Sequence, residues 1–236
     1  MLLSKEMKEL GVVSASAGNH ALALAYHGKT LGIPVNVVMP VTAPLKKIDN
    51  CRKLGANVIL HGQHIGEAKE YALKEMPQLK YINGYDDPEI IAGAGTMGVE
   101  ILEQIPDLDA IFVPVGGAGL IAGVSLAMKV LQPNVQVIGV EPYNVASLAA
   151  ALHAGQPVNA FKAGTLADGL AVPVVGPTSF QVAKRCVDET CSVSEGQISI
   201  AMLRLIEMEK IIVEGGGATG DILSYIYTSH NICSAL

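Results

Sequence analysis

The stretch Val113-Pro114-Val115-Gly116-Gly117-Ala118-Gly119-Leu120 follows an apolar, β-forming run, Ala110-Ile111-Phe112, and leads into Ile121-Ala122-Gly123-Val124-Ser125-Leu126-Ala127-Met128. The first run predicts a strand and the last a buried helix, so the glycines occupy a strand-to-helix turn. Such a turn aims several backbone N–H groups at one spot beside a helix N-terminus. Those donors lack intrahelical acceptors and the helix dipole favours negative charge, which suits a phosphate. The spacing also satisfies a second template. Gly117-x-Gly119-x-x-x-Gly123, then a strand ending at Glu141, has the form of a dinucleotide fingerprint with its ribose-binding acid. Either reading calls for a phosphorylated cofactor.

Outward from the turn, strands and helices alternate. On the N-terminal side, strands are expected at residues 12–16, 35–39, 57–60 and 80–83, with helices between them. On the C-terminal side, strands are expected at 135–140, 191–193 and 210–214, and residues 215–220 open a terminal helix. Asp86-Asp87-Pro88 reads as a cap and first helical turn, and Ser194-Glu195-Gly196-Gln197 as a capping box. This alternation predicts an α/β protein of two open parallel-sheet lobes with helices on both faces. The small lobe spans 11–88, and the larger lobe spans 89–236 together with residues 1–10.

Half of the 236 residues are hydrophobic and only 16% are charged, with 25 glycines and no tryptophan. That balance fits close packing of helices on buried parallel strands. A net charge of −6 without a Lys/Arg cluster argues against nucleic acid and against anionic membranes as partners. No apolar run reaches a membrane span, and the first residues lack a secretion-signal pattern. Cys51, Cys186, Cys191 and Cys233 form neither a CxxC pair nor a disulfide framework, so reduced thiols and a cytoplasmic location are expected.

Glycine-bearing turns follow strands at 16–20, 116–119 and 215–220. Doubly wound sheets bind ligands at the carboxyl ends of their strands, so the three turns are candidates to line one cleft. A glycine can also serve a tight corner with no ligand, but three such corners together favour a site. In Ser16-Ala17-Gly18-Asn19-His20, amides at a helix start can grip a carboxylate and the Asn19 amide can reach a hydroxyl. His20 reads as a packed or capping residue.

Taken in order, Ser16-Ala17-Gly18-Asn19-His20, Val-Met-Pro-x-Thr-Ala-Pro at 38–44, Ile-Ala-Gly-x-Gly-Thr at 91–96, the 113–120 turn, Gly-Val-Glu-Pro at 139–142, Ala167-Asp168-Gly169 and Val213-Glu214-Gly215 resemble the fold-type II pyridoxal-phosphate enzymes. The nearest members are the L-threonine/L-serine dehydratases and serine racemase. The resemblance implies a tryptophan synthase β-like fold binding pyridoxal 5′-phosphate, with Gly116, Gly117, Ala118 and Gly119 cradling the phosphate through backbone N–H groups. It implies that Asn19 bonds the cofactor's ring hydroxyl, that Ser16, Ala17 and Gly18 bind the carboxylate of a small amino-acid substrate, and that Glu214 lies near the pyridine ring. The implied reaction is an ammonia-lyase elimination giving a 2-oxo acid and ammonia, with the cofactor as electron sink.

Serine racemase has a second serine where this chain has Ala17, so racemisation is not expected. The family's divalent-cation site corresponds to Glu141 and the Val145 carbonyl, with Ser147 in place of an aspartate. A hard cation prefers charged oxygen ligands, so weak binding or none is expected. Asp168 is expected to cap a turn.

The family's Schiff-base lysine sits in a Ser-x-Lys-x-Arg-Gly-Ala motif ahead of the serine turn, and that motif is absent from these residues. Lys5 and Lys8 lie on a surface-type helix. Residues 221–236 depart from the family's Ser/Cys-Gly-Gly-Asn ending. The resemblance therefore implies a chain truncated at both ends, without the catalytic lysine, binding pyridoxal phosphate non-covalently and showing little or no dehydratase activity. A homodimer, or pairing with a full-length subunit, is the expected assembly. The alternatives are a noncatalytic pyridoxal-phosphate-binding or regulatory subunit and an NAD(P) oxidoreductase.

Overall fold

The computed structural model describes residues 3–227, and its contacts divide the chain into two units, 1–84 and 85–236. In the first unit, α1 (Lys5–Leu10) begins where the Ser4 hydroxyl accepts the Met7 N–H and ends at Gly11, whose φ of 98° only glycine adopts readily. The elements β1 (Val12–Ala15), α2 (Asn19–Leu31), β2 (Val35–Met39), α3 (Leu45–Lys53), β3 (Asn57–Leu60), α4 (Ile65–Glu75) and β4 (Lys80–Tyr81) follow. The strands form one parallel sheet in the order β3-β2-β1-β4, with Val12 beside Val35 on one side and Lys80 on the other. β1 and β2 are almost wholly buried, which is why they read as continuous apolar runs. Ala68 and Ala72 of α4 pack on Val13 and Val38 of the sheet.

In the second unit, α5 (Pro88–Gln104) is capped by the Asp87 carboxylate, which accepts the Glu89 N–H at 3.0 Å, with proline in the first turn. Then come β5 (Ala110–Pro114), α6 (Gly119–Leu131), β6 (Gln136–Pro142), α7 (Ser147–Ala154), α8 (Pro177–Cys186), β7 (Glu189–Val193), α9 (Glu195–Arg204) and α10 (Gly215–Tyr227). The three strands are parallel in the order β5-β6-β7, and the central β6 is buried along nearly all its length. One core gathers Val113, Ile121, Met128, Leu148 and Phe180, and another gathers Val140, Val193, Ile198 and Ala218. Lys129 at the end of α6 meets Asp188 at 2.7 Å, and the same carboxylate accepts the Val137 N–H, tying α6 to the start of β6. α5 and α6 pack through glycines: a Cβ on Gly98 would stand 3.1 Å from the Val124 carbonyl oxygen, and one on Gly95 would stand 3.2 Å from that of Gly123.

The structure departs from the expected organisation in three places. α1 falls in the first unit rather than with the second lobe, and the division lies between Gly84 and Tyr85 rather than at 88/89. The Gly11 N–H closes α1 on Met7 and the next amide, Val12, bonds the Pro34 carbonyl, so the helix is anchored beside β1 and β2. The run 210–214 is not a strand. A π-helical turn over Leu205–Glu209 ends at Lys210 in the left-handed conformation (φ 59°), and Ile212 is left 87% exposed with no strand paired to it among the described residues. A short apolar run does not by itself distinguish a strand from a connecting segment.

Among the described residues, Cys51, Cys186 and Cys191 form no disulfide, and burial pushes the Cys51 and Cys186 thiols above the usual range. Cys233 and residues 228–236 of the expected C-terminal departure at 221–236 lie outside the described residues. No helix among the described residues is long and apolar enough to cross a membrane.

Candidate functional site

The strand-to-helix turn forms as its sequence predicts. β5 ends at Pro114, the Val115 N–H bonds the Val140 carbonyl at 2.9 Å, and α6 starts at Gly119. Ala118, at the N-cap of α6, has a φ of 71°, a left-handed conformation that costs a non-glycine residue roughly 1 kcal/mol. Gly116, Gly117, Ala118 and Gly119 are all buried. Among the described residues, none of their four amide N–H groups donates to a backbone or side-chain acceptor. A buried donor without an acceptor costs about 1–3 kcal/mol, so consecutive buried donors at a helix start favour an anionic acceptor there.

The carbonyls of the same turn are engaged on its other side. The Gly116 carbonyl accepts the Ser147 hydroxyl at 3.1 Å, and the Gly117 carbonyl accepts the Gly176 N–H at 3.1 Å. Tyr85 crosses the turn closely. A Cβ on Gly117 would collide with its ring, and one on Gly119 would lie 2.7 Å from its Cα. Tyr85 is itself held by α8, because its carbonyl accepts the Ser179 hydroxyl and the adjacent Asp86 carboxylate accepts the Ser179 N–H at 3.0 Å. Leu170 links two of the glycine segments, its Cα lying 3.1 Å from a Cβ built on Gly116 and its Cγ 3.5 Å from one on Gly216. Asp168 is the first residue of a 3-10 turn, Asp168–Leu170, and its carboxylate accepts the Gly169 N–H at 2.8 Å, but the N-cap position is held by Ala167, so Asp168 is not the cap expected of it. Glu214 is exposed just before α10, and its Oε1 would be 3.8 Å from a Cβ on Gly169.

In the first unit the serine turn leaves β1 and opens α2 at Asn19. The Ser16 N–H is committed to the Val38 carbonyl at 3.2 Å and the Gly18 N–H to the Ser16 hydroxyl oxygen at 3.3 Å. The Ala17 amide has no acceptor among the described residues. A Cβ on Gly18 would meet nothing within 4 Å, so no packing demand accounts for this glycine. Asn19 is exposed at the first position of α2. His20 packs inward, with its Nε2 3.1 Å from the Ser14 hydroxyl, which itself donates to the Ile82 carbonyl at 2.8 Å. Burial lowers the His20 pKa, so the ring is held neutral.

Glu141, next to last in β6, is fully buried. Its two carboxylate oxygens accept the N–H groups of Leu148 and Ala149 at 2.7 and 2.9 Å, capping α7. Burial pushes its carboxyl up to about 7, and the amides of Leu148, Ala149 and Ser147 pull against that shift. A carboxylate occupied in this way is not presented to a ribose, which removes the acid that the dinucleotide reading needed. Val145 is buried beside it, and the Ser147 hydroxyl is turned to Gly116. No group of three or more His, Cys, Asp or Glu side chains suited to a metal ion occurs among the described residues.

Sequence reasoning missed the residues that hold the turn from behind. Ser147 was read only as a missing metal ligand, and Asp86 only as part of the α5 cap, whereas its carboxylate serves α8, far away in sequence. No local pattern marks such pairings.

A parallel α/β fold with buried amides at a glycine-rich helix start is an arrangement suited to a phosphorylated ligand. Residues 1–221 match the family described as pyridoxal-phosphate dependent enzyme, and the chain belongs to that family. An L-threonine ammonia-lyase of Thermotoga maritima is 46% identical over 220 residues, covering 92% of this chain and 55% of its own length. Threonine dehydratase 2 biosynthetic, chloroplastic, of Solanum lycopersicum is 44% identical over 218 residues, or 92% of this chain and 37% of its own. Among solved structures, the processed form of threonine deaminase isoform 2 from Solanum lycopersicum superposes with a TM-score of 0.92 at 41% identity, covering 98% of this chain and 69% of that one. Serine racemase from Dictyostelium discoideum gives 0.87 at 34% identity, covering 94% and 71%. The chain thus spans 55% and 37% of the lengths of these two curated relatives.

Proposed function

We propose that this chain carries the phosphate-binding and carboxylate-binding segments of a pyridoxal-phosphate-dependent threonine or serine ammonia-lyase. The observation that carries the reading is the row of four buried amides at Gly116–Gly119 with no acceptor among the described residues. A phosphate ester supplies the oxygens those donors need, and the helix dipole of α6 adds to the attraction. Bound pyridoxal phosphate supplies an electron sink that allows a Cα proton and a β-hydroxyl to leave a small amino acid. Gly116, Gly117, Ala118 and Gly119 hold the phosphate. Asn19 bonds the ring hydroxyl, and Glu214 stands toward the pyridine ring. The Ser16 hydroxyl and the Ala17 amide, with the open approach at Gly18, receive the substrate carboxylate. Ala17 offers no exchangeable side-chain proton, which favours elimination over racemisation. Glu141 serves α7 rather than a cation.

Lys5 and Lys8 are exposed on α1, so cofactor binding by the 236-residue chain is assigned to reversible contacts. The expected result is that the purified chain binds pyridoxal phosphate, that inorganic phosphate displaces it, and that little 2-oxobutanoate forms from L-threonine. Absorbance titration with a coupled 2-oxo-acid assay checks this. Absence of phosphate-competable binding overturns the cofactor reading, and robust 2-oxobutanoate formation overturns the assignment of weak, non-covalent function to residues 1–236.

A further inference from the structure

We propose that Ser147 is a positioning residue for the cofactor phosphate, acting by orienting the amides of the glycine turn rather than by touching the ligand. This rests on the assignment of 116–119 as a phosphate cradle. The geometry is that of the peptide unit. In a trans peptide the C=O and the N–H of the next residue point in opposite directions, and among the described residues there is no cis peptide. The Gly116 carbonyl therefore shares a rigid plane with the Gly117 N–H, and the Gly117 carbonyl with the Ala118 N–H. The Ser147 hydroxyl holds the first carbonyl and the Gly176 amide holds the second. Each contact on the back of the turn thus sets the direction of one N–H on its front.

Such fixing matters more here than in most turns. A Gly-Gly pair has the widest backbone freedom of any dipeptide, so its peptide planes rotate easily unless something holds them. Preorganised donors bind an anion better than donors that must first be turned. Ser147 is well placed to supply the restraint. It is fully buried, its hydroxyl proton has the Gly116 carbonyl as acceptor, and it opens α7, whose first turn is itself fixed by the two oxygens of Glu141. The chain of support runs from the end of β6, through the start of α7, to the back of the cradle. All of it lies within the second unit.

The test compares Ser147→Ala with wild type in the full 236-residue chain, using pyridoxal phosphate, pyridoxal without its phosphate, and inorganic phosphate as probes. Ser147→Ala is expected to weaken pyridoxal phosphate and inorganic phosphate by about tenfold, the weight of one well-aligned charge-assisted hydrogen bond, with pyridoxal affinity unchanged. Ser147→Cys, nearly isosteric but a weak donor, is expected to weaken both in the same direction, and it carries the test if the alanine variant does not fold. A variant with lowered melting temperature but wild-type affinity for both phosphate probes overturns the positioning role, since a purely structural residue gives that result. A parallel loss of pyridoxal affinity also overturns it. Failure of the wild-type chain to bind either phosphate probe is a different result, because it removes the cradle reading and this inference with it.

Discussion

Gly123→Ala is expected to destabilise the second unit severely. A Cβ at this position would collide with the Ile91 carbonyl oxygen and lie 2.6 Å from the Gly95 nitrogen, both backbone atoms of α5. A side chain can rotate away from an intruding methyl, but a helix backbone must move as a whole. The helices that would have to separate are α5 and α6, and α6 is the helix whose first turn forms the cradle. Overpacking of a tight core costs about 1–3 kcal/mol when side chains yield, so a backbone collision is expected to reach ~3 kcal/mol or more. Against a typical domain stability of about 5–15 kcal/mol this is severe. Gly93→Ala on α5 is the matched control. Its Cβ would meet nothing within 4 Å, and gaining a better helix former is expected to leave stability equal or raised by about 0.5–1 kcal/mol. Urea denaturation followed by circular dichroism checks both, and a Gly123→Ala chain as stable as wild type would show that α5 and α6 do not meet this closely.

Glu141→Ala is expected to cost ~3 kcal/mol or more. Truncation leaves the Leu148 and Ala149 amides without acceptors in a buried place, at about 1–3 kcal/mol each, besides the cavity left by the side chain. The pH dependence gives a sharper signature. The folded carboxyl has its pKa raised from 4.5 to about 7, chiefly by burial. Between these values the unfolded chain releases a proton that the folded chain keeps, so this group's contribution to stability falls as pH rises through the window and is constant above it. Over the whole window the decline amounts to about 3 kcal/mol at roughly 1.4 kcal/mol per pKa unit. Glu141→Gln carries no such proton. The stability of wild type relative to Glu141→Gln is therefore expected to decline from about pH 5 to about pH 7 and then level off. A difference that rises with pH would mean that the amide donors, rather than burial, control this carboxyl.

Much of the fold was legible because its signals are local. Buried parallel strands such as β1, β2 and β6 announce themselves as apolar runs, and caps such as Asp87-Pro88 and the Ser194/Gln197 box are complete within four residues. The glycine turn was legible for the same reason. What failed was information that only packing supplies. The run Ile211-Ile212-Val213 has strand composition, yet the left-handed Lys210 precedes it and no strand pairs with it among the described residues. The candidate site shows the same division. Its donors are read directly from Gly116 to Gly119, but their supports, Ser147, Gly176 and the Tyr85–Asp86 segment, come from distant parts of the chain. Glu141 shows what surroundings add to a noticed residue: its sequence context suggests a ligand, and in the structure its two carboxylate oxygens accept the Leu148 and Ala149 N–H groups.

The glycine turn combines a left-handed alanine with four buried amides that have no acceptor among the described residues, so it holds unfavourable free energy within the second unit. Any anion that binds the folded turn and not the unfolded chain lowers that energy by mass action, by about 2.7 kcal/mol at a hundred times its dissociation constant. The ligand is then a component of the fold as well as of the chemistry. On the proposed reading of the turn as a phosphate cradle, the amount of folded protein would be linked to the supply of the phosphorylated cofactor.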